Sequence, residues 1–235
     1  MIEIKDVKKS FKDIKALKGI SIDIFDSEIF GLLGVNGAGK STLIKILSGL
    51  LKKDSGEIII NGLDVDKDIY EIKKIINISP QETSIAPKLT VLENLEFIAN
   101  LYGINDDKKI NSIIEEFKLD EVKNQKSGTL SGGYQRRLSI AMCMVTNPSI
   151  IFLDEPTLGL DVIARRELWN IINKLKSKVT IILTTHYLEE AFSLCDRIAI
   201  LKKGELKAVD TPDNLKILGK SENIDEAFIN IVGVE

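Results

Sequence analysis

Two cysteines in 235 residues, Cys143 and Cys195, are too few for a disulfide framework and lack the spacing of a metal site. Both stand in apolar surroundings, AMCMV and FSLCDRIAI, which predicts small buried thiols and fits a reducing, cytosolic compartment. No stretch approaches the roughly 18 uninterrupted apolar residues of a membrane helix, so action at a membrane requires a second chain to cross it. The opening MIEIKDVKKSFKD mixes acids and bases where a secretory leader would carry an apolar run. Neither sign of charge is in surplus: 32 Lys and Arg against 35 Asp and Glu leave a net charge of −3. That balance argues against nucleic acid as a partner, because phosphate backbones are gripped through a basic excess. The lysine doublets at 52–53, 73–74, 108–109 and 202–203 are dispersed and are assigned to solvated faces. No internal repeat or low-complexity tract is present.

What is there reads as one α/β domain over residues 1–235 with a small insert. IEIKDV (2–7) and ISIDIF (20–25) alternate apolar and polar residues as half-buried strands do, while EIFGLLG (28–34) is a strand buried on both faces. After a glycine-rich turn, KSTLIKILSGLL (40–51) repeats apolar residues at helical spacing. GEIIINGLDV (56–65) gives a strand and turn, and IINISPQ (75–81) a strand stopped by Pro80. From Lys88 to about Thr129 no strand pattern occurs. Thr90 and Glu93 form a capping box ahead of VLENLEFIANLY, and DDKKINSIIEEFKL (106–119) is a second helix. The helical insert is bounded at about 88–135. RRLSIAMCMV is a helix ending near Asn147-Pro148, SIIFLD (149–154) a buried strand, and RRELWNIINKLK (165–176) an amphipathic helix. VTIILTT (179–185) is a strand, LEEAFSLC (188–195) a helix, and RIAILKKGELKAV (197–209) a hairpin turning at Gly204. Thr211-Pro212 opens a short helical tail, about 210–235. Strands alternating with helices predict a mostly parallel sheet covered on both faces.

The run Gly34-Val35-Asn36-Gly37-Ala38-Gly39-Lys40-Ser41, followed by Thr42, fits GxxxxGK[S/T] between a buried strand and a helix. Glycines are needed there because successive backbone N–H groups must turn inward on phosphate oxygens, where a Cβ would intrude. The helix start adds its dipole and free N–H groups. Lys40 is expected on the β- and γ-phosphates and the Ser41 hydroxyl on Mg²⁺. A guanine-reading Asn-Lys-x-Asp is lacking, since Asn173-Lys174-Leu175-Lys176 ends on a base inside a helix. The string Ile150-Ile151-Phe152-Leu153-Asp154-Glu155 sets two carboxylates at the end of a buried strand. Asp154 is placed to hold Mg²⁺, and Glu155 to polarise an attacking water.

The string Leu130-Ser131-Gly132-Gly133-Tyr134-Gln135-Arg136-Arg137-Leu138-Ser139-Ile140-Ala141 resembles the signature of ATP-binding cassette (ABC) proteins, and the resemblance then extends over nearly the whole chain. Gln81 is similar to the family's Q-loop glutamine, Leu160-Asp161 to the end of its D-loop, and His186, the only histidine, to its switch histidine. Phe11, followed by Ala16, falls where the family stacks an aromatic on adenine. One departure is Tyr134, which occupies the place of the usual glutamine and leaves Gln135 one position late.

The resemblance implies a P-loop NTPase (RecA-like) α/β fold: a mostly parallel sheet core with an N-terminal antiparallel β subdomain and an inserted helical subdomain. It implies an ATPase using ATP and Mg²⁺, with Glu155 and His186 catalytic and with Ser41, Gln81 and Asp154 around the metal. Ser131, Gly132 and Gly133 would act on the ATP of a second ATPase subunit, identical or homologous. Integral-membrane transporter subunits would be driven through the Gln81 loop and the helical insert, placing the chain at the inner face of the cell membrane. The basic pair Arg136-Arg137 favours the drug and antibiotic exporter branch. An importer subunit of the same family, or an ABC ATPase without a transport role, remain open as alternatives.

Overall fold

The structure, a computed structural model, describes residues 1–233, so the last two residues of the expected tail lie outside it. The chain opens with a hairpin of β1 (Ile2–Phe11) and β2 (Ile14–Ile24). The alternation that marks these strands is visible as burial: Ile2, Ile4, Ile20, Ile22 and Ile24 all point into the core. It slips by one position between Ile4 and Val7, where the pairing register shifts and Asp6 has φ of 48°. That bulge breaks the period-2 pattern, so the strand outlasts its sequence signal and runs on to Phe11.

β3 (Ile29–Leu33) leads through the glycine loop into α1 (Lys40–Leu47). The helix stops four residues short of the sequence expectation, because Gly49 takes a left-handed φ of 68° just past Ser48. β4 (Ser55–Ile60) and β5 (Leu63–Asp64) return to the first sheet, whose order is β2-β1-β4-β5, all antiparallel. A short α2 (Ile69–Ile75), which the sequence reading passed over, runs directly into β6 (Ile76–Ser79). With only Ile72 buried, seven residues offer no measurable period.

Two helices, α3 (Val91–Leu101) and α4 (Asp107–Glu116), fill the stretch after β6. The Thr90–Glu93 capping box is formed in both directions. α5 (Gly132–Met144) then passes beneath β6, where Asn77 Nδ2 donates to Cys143 O at 2.6 Å and the Ser79 and Ser139 hydroxyls lie 3.0 Å apart. The remaining elements are β7 (Ile150–Asp154), α6 (Val162–Leu175), β8 (Thr180–Thr185), α7 (Leu188–Leu194), β9 (Arg197–Lys202), β10 (Glu205–Asp210), α8 (Pro212–Leu218) and α9 (Ile224–Val232).

The second sheet has the order β10-β9-β3-β8-β7-β6, parallel except for the β9–β10 hairpin. Its central strands are buried on both faces, which explains their unbroken apolar sequences. Ile29, Leu33, Ile151, Leu153, Ile181 and Leu183 enter one core with α3 to α7, and Phe30, Leu32, Phe152 and Ile182 enter the other with α1 and the antiparallel sheet. Cys143 and Cys195 are buried free thiols, as their surroundings predict. Burial pushes the Cys143 thiol up to about 12, which leaves it inert.

Candidate nucleotide site

β3 delivers the chain to the loop at residues 34–39, and Gly39, with φ of 106°, is the N-cap of α1. A Cβ on Gly39 would sit 2.7 Å from the Ala16 carbonyl oxygen, so both space and backbone conformation require glycine there. No side chain caps the helix start, so its first N–H groups are free for an anion. Lys40 Nζ donates back to Gly34 O at 2.6 Å and Val35 O at 3.4 Å, curling the loop around the amine. Burial pulls the Lys40 pKa below its ordinary value, against the opposing pull of the nearby Glu155 and Asp154 carboxylates.

β8 lies between β3 and β7, so Asp154 meets the loop across a strand. Thr184 bridges the gap. Its hydroxyl donates to Asp154 Oδ1 at 2.5 Å, and the Ser41 hydroxyl reaches the same oxygen at 3.2 Å. Glu155 is the first residue beyond the strand and has φ of 48°, a conformation that costs a non-glycine residue about 1–3 kcal/mol. Its N–H is held by both Thr184 O, at 3.2 Å, and Thr184 Oγ1, at 3.0 Å. The turn aims the carboxylate inward, with Oε1 3.8 Å from Lys40 Nζ and Oε2 3.0 Å from His186 Nδ1. The latter pair is close but not aligned for a hydrogen bond, and Nδ1 is left without one. Sequence reasoning missed Thr184; the one signal for it is the hydroxyl pair Thr184-Thr185 ahead of His186.

In front of these groups opens a cleft of about 700 Å³, floored by residues 36–42 and walled by Phe11, Ala16, Gln81, Glu155 and Lys203. That volume suits a nucleotide-sized ligand. Lys203 belongs to a doublet assigned from sequence to a solvated face, and it is exposed, but its face is this cleft. Its neighbour Lys202 departs further from that assignment: Nζ donates to Val232 O and Gly233 O and ties down the end of α9. His186 opens instead on an adjoining recess that it shares with Val35, Asn36 and Phe228.

The cleft walls do not include Ser131, Gly132 or Gly133. These lie at the start of α5, where Ser131 is the N-cap with its hydroxyl unused. A Cβ on Gly133 would stand 3.0 Å from that of Ala164, so this turn is packed closely against α6. Asp161 caps α6, accepting from Ile163 N and Ala164 N, each at 2.9 Å. Tyr134, the departure from the usual signature, is turned into the fold with the Arg137 guanidinium 4.1 Å from its ring centre. The basic pair is therefore internal: Arg136 and Arg137 are both buried.

The oxygen donors of Ser41 and Asp154, side by side at the foot of the loop, suit a hard cation such as Mg²⁺. Among the described residues no cluster of three or more His, Cys, Asp or Glu could bind a metal, so such a cation would need phosphate oxygens and water to complete its shell.

A Lys40 loop at the end of β3, answered by acids at the end of β7 across one strand, defines a P-loop nucleoside triphosphatase. The chain belongs to the ABC transporter family, whose profile matches residues 17–158, and is an ATP-binding, ATP-hydrolysing cassette within it. It is 38% identical to the linearmycin resistance ATP-binding protein LnrL of Bacillus subtilis, over 92% of this chain and 70% of LnrL. It is 36% identical to YbhF of Escherichia coli, named a "probable multidrug ABC transporter ATP-binding protein", over 99% of this chain but only 42% of YbhF. The fold is that of ABC ATPases: an ATP-binding subunit of an ABC transporter superposes with a TM-score of 0.86 at 28% identity, covering 99% of this chain and 100% of that one. The dimeric ATP-binding cassette MJ0796 bound to ADP and Pi superposes with a TM-score of 0.80 at 29% identity, covering 90% and 99%. Among the described residues no helix is long and apolar enough to cross a membrane.

Proposed function

We propose that this cassette powers an exporter, closing on ATP as a head-to-tail pair and passing that motion to membrane-spanning subunits at the inner face of the cell membrane. The observation that carries the pairing is the separation of two phosphate-receptive helix starts. One, at Gly39–Lys40, opens on the cleft; the other, at Ser131–Gly133, has a free hydroxyl and free N–H groups but lies off that cleft. Opposed across a dimer, the second would complete the first. The same arrangement fits what the MJ0796 structure is, a dimer of a related cassette. The exporter reading is supported by the resistance and multidrug names of LnrL and YbhF.

Adenine would stack on Phe11 beside Ala16, and the phosphates would lie on residues 34–42. Lys40, which contacts the Gly34 and Val35 carbonyls and lies 3.8 Å from Glu155 Oε1, would turn to the phosphates. Ser41 and Asp154, with Gln81 on the cleft wall, would hold Mg²⁺, which would supply charge neutralisation for the phosphates. Glu155 accepts the proton of a water whose oxygen attacks the γ-phosphorus as the bond to the β-bridging oxygen breaks, giving ADP and phosphate. His186, beside Glu155, fixes the γ-phosphate and that water. Residues 88–135 serve as the lever, since Phe97, Leu101 and Tyr102 of α3 and its end present apolar surface for a membrane subunit.

Glu155→Gln tests this directly. The amide cannot take the proton, so turnover should fall by about 10²-fold or more while ATP binding persists and a stable dimer accumulates on gel filtration. Turnover near that of the unaltered chain would remove Glu155 from the role. A monomer in ATP would remove the shared site.

A further inference from the structure

Arg136, one turn into α5, is 4% exposed. The five N–H donors of its guanidinium meet five backbone carbonyls. Nε donates to Pro156 O at 2.8 Å; Nη1 to Pro80 O at 2.5 Å and Gln81 O at 3.3 Å; Nη2 to Asp154 O at 2.7 Å and Glu155 O at 2.9 Å. A buried cation is expensive unless fully hydrogen-bonded, and here every donor of the fork is used. Burial pulls its pKa below the ordinary arginine value, opposed first by the charge of Asp154. The side chain stays a cation, as arginine does in proteins.

These carbonyls belong to two segments distant in sequence: the end of β6 with the Gln81 loop, and the strained turn that carries Asp154 and Glu155. The Glu155 backbone is thus held on both sides of its Cα, by Thr184 at the N–H and by Arg136 at the carbonyl. Arg136 also rides on the helix that begins at Ser131–Gly133. Arg136 therefore ties the position of α5 to the backbone of Glu155, already at φ of 48°.

We infer that Arg136 is a positioning residue that couples the two ATP sites: when Ser131–Gly133 grip the partner's nucleotide, Arg136 sets Glu155 for hydrolysis in its own subunit's cleft. This rests on the reading above that the start of α5 serves the partner's ATP. Arg136 does not line the cleft, so its effect belongs on turnover and cooperativity and not on binding.

The test uses Arg136→Lys, which keeps the charge but offers three donors, and Arg136→Gln, which keeps a shorter polar side chain. Expected for both are ATP affinity within about twofold of the unaltered chain and kcat lowered about tenfold or more, with lysine the milder. The Hill coefficient for ATP should fall toward ~1 from the value of the unaltered chain. Normal kcat and Hill coefficient would overturn the inference. So would a lowered melting temperature with lowered kcat but unchanged Hill coefficient, which marks a purely structural role. Should the variants fail to fold, hydrogen exchange on the unaltered protein decides: closure with a nonhydrolysable ATP analogue must protect residues 131–137 and 154–158 together, and protection of the first segment alone refutes the coupling. Failure of the shared site itself is recognised separately, because Glu155→Gln then stays monomeric in ATP.

Discussion

At the residue scale, the cleft is governed by side chains whose backbones are forced into place. Glu155 occupies a conformation that few side chains adopt, held there by hydrogen bonds to Thr184 and Arg136. Phe11 is the opposite case: it ends β1 on the rim, 46% exposed, with Lys9 Nζ 5.6 Å from its ring centre. An exposed aromatic face of this kind gains by stacking on a flat ring, by roughly 1 kcal/mol. Phe11→Ala should therefore weaken ATP affinity several-fold and leave the maximal rate nearly unchanged. Titration with a fluorescent ATP analogue checks it, and unaltered affinity would mean that the base lies elsewhere. Lys40, Asp154 and Glu155 are legible in the sequence because each stands in a short contiguous string, whereas Phe11 is picked out only by the family resemblance. Thr184 and Arg136 are not legible in that way, since their partners are 30 and up to 56 positions distant and only folding brings them together.

At the scale of elements, the strongest sequence signals are those with local physics: the capping box at Thr90, the hairpin turn at Gly204, the apolar strands of the central sheet. Elements fail to announce themselves where the local signal is short or interrupted, as in α2 and in β1 beyond its bulge. α7 hides a different feature. Glu190, which reads as one of two acids in a helix start, is fully buried, accepts from Trp169 Nε1 of α6 at 3.1 Å, and has Oε2 without a hydrogen bond. Burial, only partly offset by the polar side chains of Thr185, Thr157 and Trp169 and by the charge of Arg165, raises its pKa above the ordinary value. The folded chain then binds more protons than the unfolded one between the ordinary carboxylate pKa and the raised value, and stability falls as pH rises across that window. Glu190→Gln abolishes this dependence while an amide oxygen can still accept from Trp169. Relative to the unaltered chain, the variant should gain stability at pH 8 compared with pH 5 in urea unfolding followed by fluorescence of the single tryptophan. The same difference at both values would show that the carboxyl is not perturbed.

At the scale of the whole molecule, the proposed pairing rests on two helix starts, at Gly39–Lys40 and Ser131–Gly133, that one chain does not bring together. Ser131→Arg places a long side chain in the space of a partner's phosphates and leaves its own loop at 34–41 untouched. Lys40→Ala weakens its own phosphate grip, where Nζ now stands 2.6 Å from Gly34 O, and leaves the start of α5 intact. Each variant alone forms only crippled sites and should hydrolyse ATP at a small fraction of the normal rate. In a mixed dimer, one site joins the good Lys40 loop of the Ser131→Arg chain to the good Ser131 turn of the Lys40→Ala chain, and the other site combines both defects. Mixing should therefore restore up to about half the normal activity per mixed dimer where the sites fire independently, and less in proportion to their coupling. Because strongly coupled sites could stay silent together, geometry gives the firmer measurement. A cysteine introduced near Ser131 and another near Gly37 of a different subunit should crosslink when ATP is added to a Glu155→Gln background. The buried thiols of Cys143 and Cys195 are too inert to compete. Crosslinks confined to a single chain would mean that the two helix starts never face each other across a dimer, and the head-to-tail arrangement would have to be abandoned.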